Sequence, residues 1–200
     1  MTKRLARPTA SLLFSVLVVS GCAHQVDRYP DTWDRLSVDN VPGRCPSLSG
    51  TYENNGVKPD GTKISLAVWL AAATGRTRQE ERDNARNHFV GELFKTQAVD
   101  IKVVDDTEIA IHARGEGISI PWTISRSKGQ FECKDGALVV RSSGDASGDN
   151  VAAFSSGSMK LYSGREHVMV NWNETMAGVM LFVPAVSYSD IWARFARAAK

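Results

Sequence analysis

Val99-Asp100-Ile101-Lys102-Val103 and Glu108-Ile109-Ala110-Ile111-His112-Ala113 decide the fold of this chain. Both alternate apolar and polar side chains, the period of a strand with one face on a core. Asp105-Asp106 between them predicts a hairpin turn. Toward the C-terminus the same period recurs in Ile118 to Ser125, Gln130 to Lys134 and Ala137 to Arg141, with turns at Ser127-Lys128-Gly129 and Lys134-Asp135-Gly136. It returns in Ser158 to Tyr162, His167 to Trp172 and Val179 to Val183. Ser142 to Asn150 predicts a Gly/Ser/Asp loop, Ser163-Gly164-Arg165 a turn, and Glu174 to Gly178 a further break. Residues 188 to 198 fit a helix through Ile191 and Phe195. They fit a closing strand equally, through Trp192 and Arg194 alternating with Ala193 and Phe195. Short strands at this spacing predict an antiparallel meander or a partly closed barrel.

Toward the N-terminus the period changes. Thr77-Arg78-Gln79-Glu80 is a capping box, in which the Thr hydroxyl and Glu carboxylate satisfy helix-start amides reciprocally. Ala85, Phe89 and Leu93 follow at four-residue spacing, so an amphipathic helix is expected at about 78–96. Gly91 weakens it by about 1 kcal/mol relative to Ala. Ile64, Leu66, Val68 and Leu70 alternate with Ser65, Ala67 and Trp69, which favours a strand buried on both faces, although Ala71-Ala72-Ala73 also tolerates helix. Cys45 to Gly56 reads as a turn, a short strand and a second turn at Asn55-Gly56. The class is α+β, mainly β, with one amphipathic helix.

The segment before Cys45 divides in two. Lys3, Arg4 and Arg7 precede an apolar run from Ala10 to Ser20 with no acidic residue among them. A basic head, a short apolar centre and small residues before a cut site make a secretory signal. The centre is about half of what a bilayer-spanning helix needs. Arg4 and Arg7 are not adjacent, so a twin-arginine signal is not expected and the chain is exported unfolded. Residues 23–44 are polar and carry Pro30 and Pro42, and they read as a tether reaching about 70 Å when fully extended. The expected organisation is therefore signal peptide 1–21, anchor and tether 22–44, and a β-rich domain 45–200.

Removing the signal takes three of the 24 basic residues, which turns a net charge of +2 slightly negative against 22 acidic residues. That balance carries no basic stripe and gives no reason to expect nucleic acid. Two cysteines then remain beside Cys22. In an oxidising compartment Cys45 and Cys133 are expected to pair, with two buried thiols or a metal site as the alternatives. Neither carries a Cys-x-x-Cys spacing or a paired His.

Catalytic signals are sparse, and no catalytic residue, metal ligand or cofactor is expected. His24, His88, His112 and His167 are far apart in sequence. Gly144-Asp145-Ala146-Ser147-Gly148 places its Ser one position off a nucleophile elbow. Ser156 or Ser158 with Lys160 imitates a Ser–Lys pair, but a Ser/Gly turn entering a strand explains them as well. The acids Asp105-Asp106 and Glu80-Glu81 are adjacent, so they point apart. Of the five tryptophans, Trp69, Trp122 and Trp172 fall on expected strands. They are either core residues or a stacking wall for an apolar or glycan ligand.

Val19-Ser20-Gly21-Cys22 resembles the lipobox of bacterial lipoprotein precursors. The resemblance implies that Cys22 carries a thioether-linked diacylglycerol and becomes the N-terminus, with palmitate or a similar chain on its freed amine. Ala23 in place of Asp implies, by the same resemblance, an outer-membrane destination facing the periplasm. Cys45-Pro46-Ser47-Leu48-Ser49-Gly50-Thr51-Tyr52 is similar to the opening of uncharacterised proteobacterial lipoproteins, and Phe131-Glu132-Cys133-Lys134-Asp135-Gly136-Ala137-Leu138-Val139-Val140 to their central strand pair. Both support the Cys45–Cys133 link and bring no activity. Gly50-Thr51-Tyr52 also resembles the Gly-x-Trp opening of lipocalins, with Tyr for Trp, and Arg194 stands where lipocalins place a late Arg. The expected role is a membrane-anchored binding or scaffolding protein with an envelope protein, apolar ligand or glycan as partner. The rival roles are a small envelope-polymer hydrolase or transferase, and a structural subunit of an envelope assembly.

Overall fold

A computed structural model describes residues 22–26, 28–33, 35–36, 45–78, 86–148, 151–180 and 183–199. The signal segment therefore lies outside the described residues. The described residues build twelve strands: β1 (Cys22–Val26), β2 (Gly50–Glu53), β3 (Asn55–Val57), β4 (Lys63–Ser65), β5 (Ala98–Val103), β6 (Glu108–Gly115), β7 (Ile118–Ser125), β8 (Phe131–Lys134), β9 (Ala137–Gly148), β10 (Val151–Ser163), β11 (His167–Met180) and β12 (Val183–Ala196). Helices α1 (Leu66–Ala73) and α2 (Arg86–Lys95) fall between β4 and β5. Residues 76–78 are helical as well.

The strands form two sheets. One has the order β4-β3-β12-β11-β10-β9-β8, and the other β2-β5-β6-β7. All pairings are antiparallel except that of β1, which joins β12 in parallel, Cys22 beside Val186 and Val26 beside Asp190. The sheets meet where Tyr52 bridges to Arg197 and Ala198 N–H donates to the Thr51 carbonyl. Among the described residues they do not close into a barrel. The mainly β, α+β class is as the sequence indicates.

The strand alternation at Val99 to Ala113 places Val99, Ile101, Ile109, Ile111 and Ala113 in the core. Leu138, Val140, Met159, Leu161, Val168, Val170, Ala193 and Phe195 face them from the larger sheet. Directly opposed and alternate residues share a sheet face. Lys160, Tyr162, Trp192 and Arg194 consequently lie on the outer face of that sheet.

Several sequence expectations are corrected. The strand expected from Ile64 to Leu70 is a helix from Leu66. The Ser65 hydroxyl caps it by accepting from Val68 N–H at 3.2 Å, and Gly75 ends it at φ 75°. An Ala/Leu-rich helix buried on most sides shows no polar stripe, so its alternation imitates a strand. The turn expected at Asn55-Gly56 falls one residue earlier, at Asn54. Gly56 instead lies on β3 against Phe195, whose ring would be 2.3 Å from a Cβ there. The loop expected from Ser142 is strand to Gly148, the break expected at Glu174 to Gly178 is internal to β11, and 188–198 belong mostly to β12. The expected helix at 78–96 is seen as α2 with Phe89 and Leu93 buried, while 79–85 lie outside the described residues. Phe94, next to Leu93, is 60% exposed.

Cys45 and Cys133 stand at disulfide distance, their Cα atoms 4.9 Å apart and 88 residues apart in sequence. The bridge ties the entry of the domain to the edge strand β8. Part of the segment read as a tether is built into the sheet. β1 pairs with β12, and Trp33 is buried.

Candidate functional site

The two-residue turn Asp135-Gly136, with φ of 52° and 72°, folds β8 back on β9. β10 follows in register, with Lys160 opposite Val139 and Ser158 opposite Arg141. The three strands leave a shallow groove of about 270 Å³ on the outer face, lined by Glu132, Lys134, Asp135, Arg141, Ser158, Lys160 and Tyr162 with Ala137 and Val139 at its floor. Arg141 Nη2 pairs with Glu132 at 2.5 Å across its rim. Burial raises the Tyr162 phenol above its ordinary value, and the carboxylates of Asp135 and Asp190 push it the same way. It therefore stays protonated at neutral pH, able to donate and accept.

Aromatic rings continue from the groove. Tyr162 stacks on Trp192 at 5.8 Å, Tyr29 meets Trp192 edge-on at 4.9 Å, and Trp33 meets Tyr29 at 5.9 Å. Arg194 lies 5.2 Å from the Trp33 ring. These contacts fasten the residues around Tyr29 to the outer face. Arg194 thus serves the N-terminal segment. The Arg that covers Tyr52, at 5.1 Å, is Arg197.

The tryptophans singled out from sequence are not brought together as a wall. Trp69, on α1, packs on Trp172 at 5.7 Å and near Phe195, both on the inner face. Trp122, on β7, is half-buried against the core on the other sheet, and its Nε1–H is buried without a partner among the described residues. The rings beside the groove are Trp192, Trp33, Tyr29 and Tyr162. Reading 188–198 as strand would have found Trp192, because it then shares a face with Arg194 and Tyr188. Alternation over Ser158, Lys160 and Tyr162 would have found the groove wall.

The other candidate groups are scattered. Ser158 and Lys160 share the groove, and no hydrogen bond joins them among the described residues. His112 Nε2 lies 2.8 Å from the Ser119 hydroxyl, and its Nδ1 is 3.8 Å from Asp100. His88 is exposed on α2, and the side chain of His24 lies outside the described set. Asp100 receives Arg114 Nε at 2.5 Å and Nη2 at 2.8 Å, and Thr51 Oγ1 at 2.6 Å. The Arg114 hydrogen bonds, followed by that of Thr51, hold the Asp100 carboxyl below its ordinary value despite partial desolvation. Asp105 is likewise lowered by bonds from Thr107, and Glu92 by Lys95. Each displaced carboxyl is stabilised as an anion, the reverse of what a general acid needs.

The groove can hold a polar ligand by ionic and hydrogen-bonding contacts from Lys134, Asp135, Lys160 and Tyr162. No protein-family model, curated protein or solved structure matches the chain.

Proposed function

We propose that this protein is a lipid-anchored envelope protein of the outer membrane, which binds a charged, hydroxyl-rich glycan on the outer face of its long sheet. The observation that carries the reading is the groove beside Tyr162, where both signs of charge and a neutral phenol converge next to aromatic rings. Sugars fit such a surface because hydroxyls take the polar groups and ring faces cover the aromatic ones. A hydrolase is disfavoured, since the displaced carboxyls are lowered and Ser158 and Lys160 are not joined. The anchor reading rests on the order of basic head, apolar centre and Val19-Ser20-Gly21-Cys22. Two or three acyl chains on Cys22 would hold the membrane far better than one.

Two measurements test this. The mass of the tryptic peptide Cys22–Arg28 should exceed that of the bare peptide by a diacylglycerol and, where present, a further acyl chain. A chain starting elsewhere, or a bare Cys22, overturns the anchor. Tryptophan emission of the purified protein should respond saturably to soluble peptidoglycan fragments or lipopolysaccharide core oligosaccharide. Lys160→Ala should weaken that response about tenfold, the cost of one charged hydrogen bond. No response to either glycan overturns the ligand class, and a single stoichiometric crosslinked protein in cells would replace it with an assembly role.

A further inference from the structure

Strands β9 to β12 are 12, 13, 14 and 14 residues long, about 40 Å or more. The core uses only the half that ends near Val140, Met159, Val170 and Ala193. The other half stands beyond it as an arm. Its outer face changes character along its length. The row Lys160–Asn171–Trp192 is charged and aromatic. The next row, Ser158–Asn173–Asp190, still carries an acid, and the row after it, Ser156–Thr175–Tyr188, is neutral. The Tyr188 hydroxyl accepts from Asn173 Nδ2 at 2.6 Å. Beyond it come Phe154–Ala177–Val186 and the pair Val179–Pro184. Phe154, Val179 and Val186 are 51%, 45% and 48% exposed. The sequence from Thr175 to Ser189 contains no charged residue.

The register of β1 says what covers this face. Cys22 pairs with Val186, in the apolar row, and β1 runs from there toward the core. Across that row the sheet reads Asp145, Phe154, Ala177, Val186, Cys22, so polarity sits at the β9 edge farthest from Cys22. Acyl chains on Cys22 would leave the protein at the one end of the sheet that is apolar and exposed. Tyr188 borders that end as an aromatic ring borders a membrane interface.

We infer that the outer face of the arm's tip, formed by Phe154, Ala177, Val179, Pro184 and Val186, lies in the headgroup and outer acyl region of the bilayer that holds Cys22. This rests on the lipid-anchor reading and adds to it a fixed orientation. The glycan groove then stands about 20 Å from the membrane, six residues along β10 from Phe154 to Lys160.

The test uses the acylated protein in phosphatidylethanolamine/phosphatidylglycerol vesicles, with the dye NBD attached at Phe154→Cys or, as control, at the exposed turn residue Ser127→Cys. Flotation with the vesicles reports the anchor independently of the dye. At position 154, emission should shift to the blue on vesicle addition and be quenched by spin-labelled lipids, while the dye at 127 stays aqueous. Phe154→Asp with Val186→Asp should leave folding unchanged by circular dichroism and weaken vesicle binding of the acyl-free protein about tenfold or more. A floating protein whose dye at 154 behaves as at 127 overturns the tip contact and leaves the anchor standing. Failure to float overturns the anchor and the orientation with it. A blue shift without vesicles that grows with protein concentration assigns the face to a second copy and overturns the membrane contact.

Discussion

Asn54 is the residue on which the join between the helices and the first strands depends. It is fully buried, and its Nδ2 donates to the carbonyls of Leu93 and Thr96, each at 3.0 Å. Its Oδ1 accepts from Ser65 Oγ at 3.0 Å and Ala67 N–H at 2.8 Å. All four hydrogen-bonding capacities of the amide are used, so one side chain fixes the start of α1 to the end of α2. Asn54→Ala would orphan buried carbonyls and should destabilise by about 2–4 kcal/mol, read as a lower urea midpoint. Asn54→Asp should do no better, because an anion cannot donate to the two carbonyls. Asp100 sets a pH dependence of smaller size. Its folded carboxyl titrates below the ordinary 3.8, so its contribution is complete above that value and lost as pH falls through the lower folded one. Asp100 is partly exposed, and the whole effect should stay within about 1 kcal/mol. Asp100→Asn should flatten the loss of stability as pH falls below about 4, measured by urea unfolding at each pH.

At the scale of elements, periodicity reveals some pieces and conceals others. β5, β6 and β7 were legible because each has one wet face, and their polar residues mark the alternation. α2 was legible through Phe89 and Leu93 for the same reason. α1 was concealed because burial on most sides removes the polar stripe that gives a helix away. The arm was concealed by composition. Gly144 and Gly148 with their serines read as loop and Gly178 as part of a break, yet the cross-strand ladder pairs them as strand. Trp192 is hidden by the ambiguity of its segment, which fits a helix and a strand equally. The Cys45–Cys133 pair was legible from the cysteine count together with the expected oxidising compartment. α2 also yields a prediction of opposite sign from that at Asn54. A Cβ at Gly91 would meet nothing within 4 Å. Gly91→Ala should therefore stabilise by about 0.5–1 kcal/mol, through helix propensity and a less free unfolded chain. Thermal unfolding checks it, and a lowered midpoint would mean that the α2 surface is occupied.

The whole molecule joins three attachments on one sheet. β1 sits on β12, the rings of Tyr29 and Trp33 sit on its outer face, and the disulfide holds Cys45 to β8 at the opposite edge. The N-terminal part of the chain is thereby fastened near both ends of the strand order. On the chain-entropy account, closing this loop stabilises by roughly 4–5 kcal/mol. Cys133 belongs to the core and Cys45 packs against it, but most of the buried side chains of both sheets lie elsewhere, so breaking the bridge should lower stability without erasing the fold. Cys45→Ser with Cys133→Ser should reduce the unfolding free energy by about 3–5 kcal/mol while retaining the β-type circular dichroism spectrum. Hydrogen exchange should then separate the attachments. Protection should fall first at Phe131–Lys134, where β8 loses its covalent tie, and last at Val168–Val170 and Ala193–Phe195 in the middle of the sheet. If β1 loses protection together with β8, the N-terminal segment is held by the bridge more than by its pairing with β12, and the orientation of Cys22 depends on the oxidised state. If β1 keeps its protection, its pairing with β12 alone sets the position of Cys22.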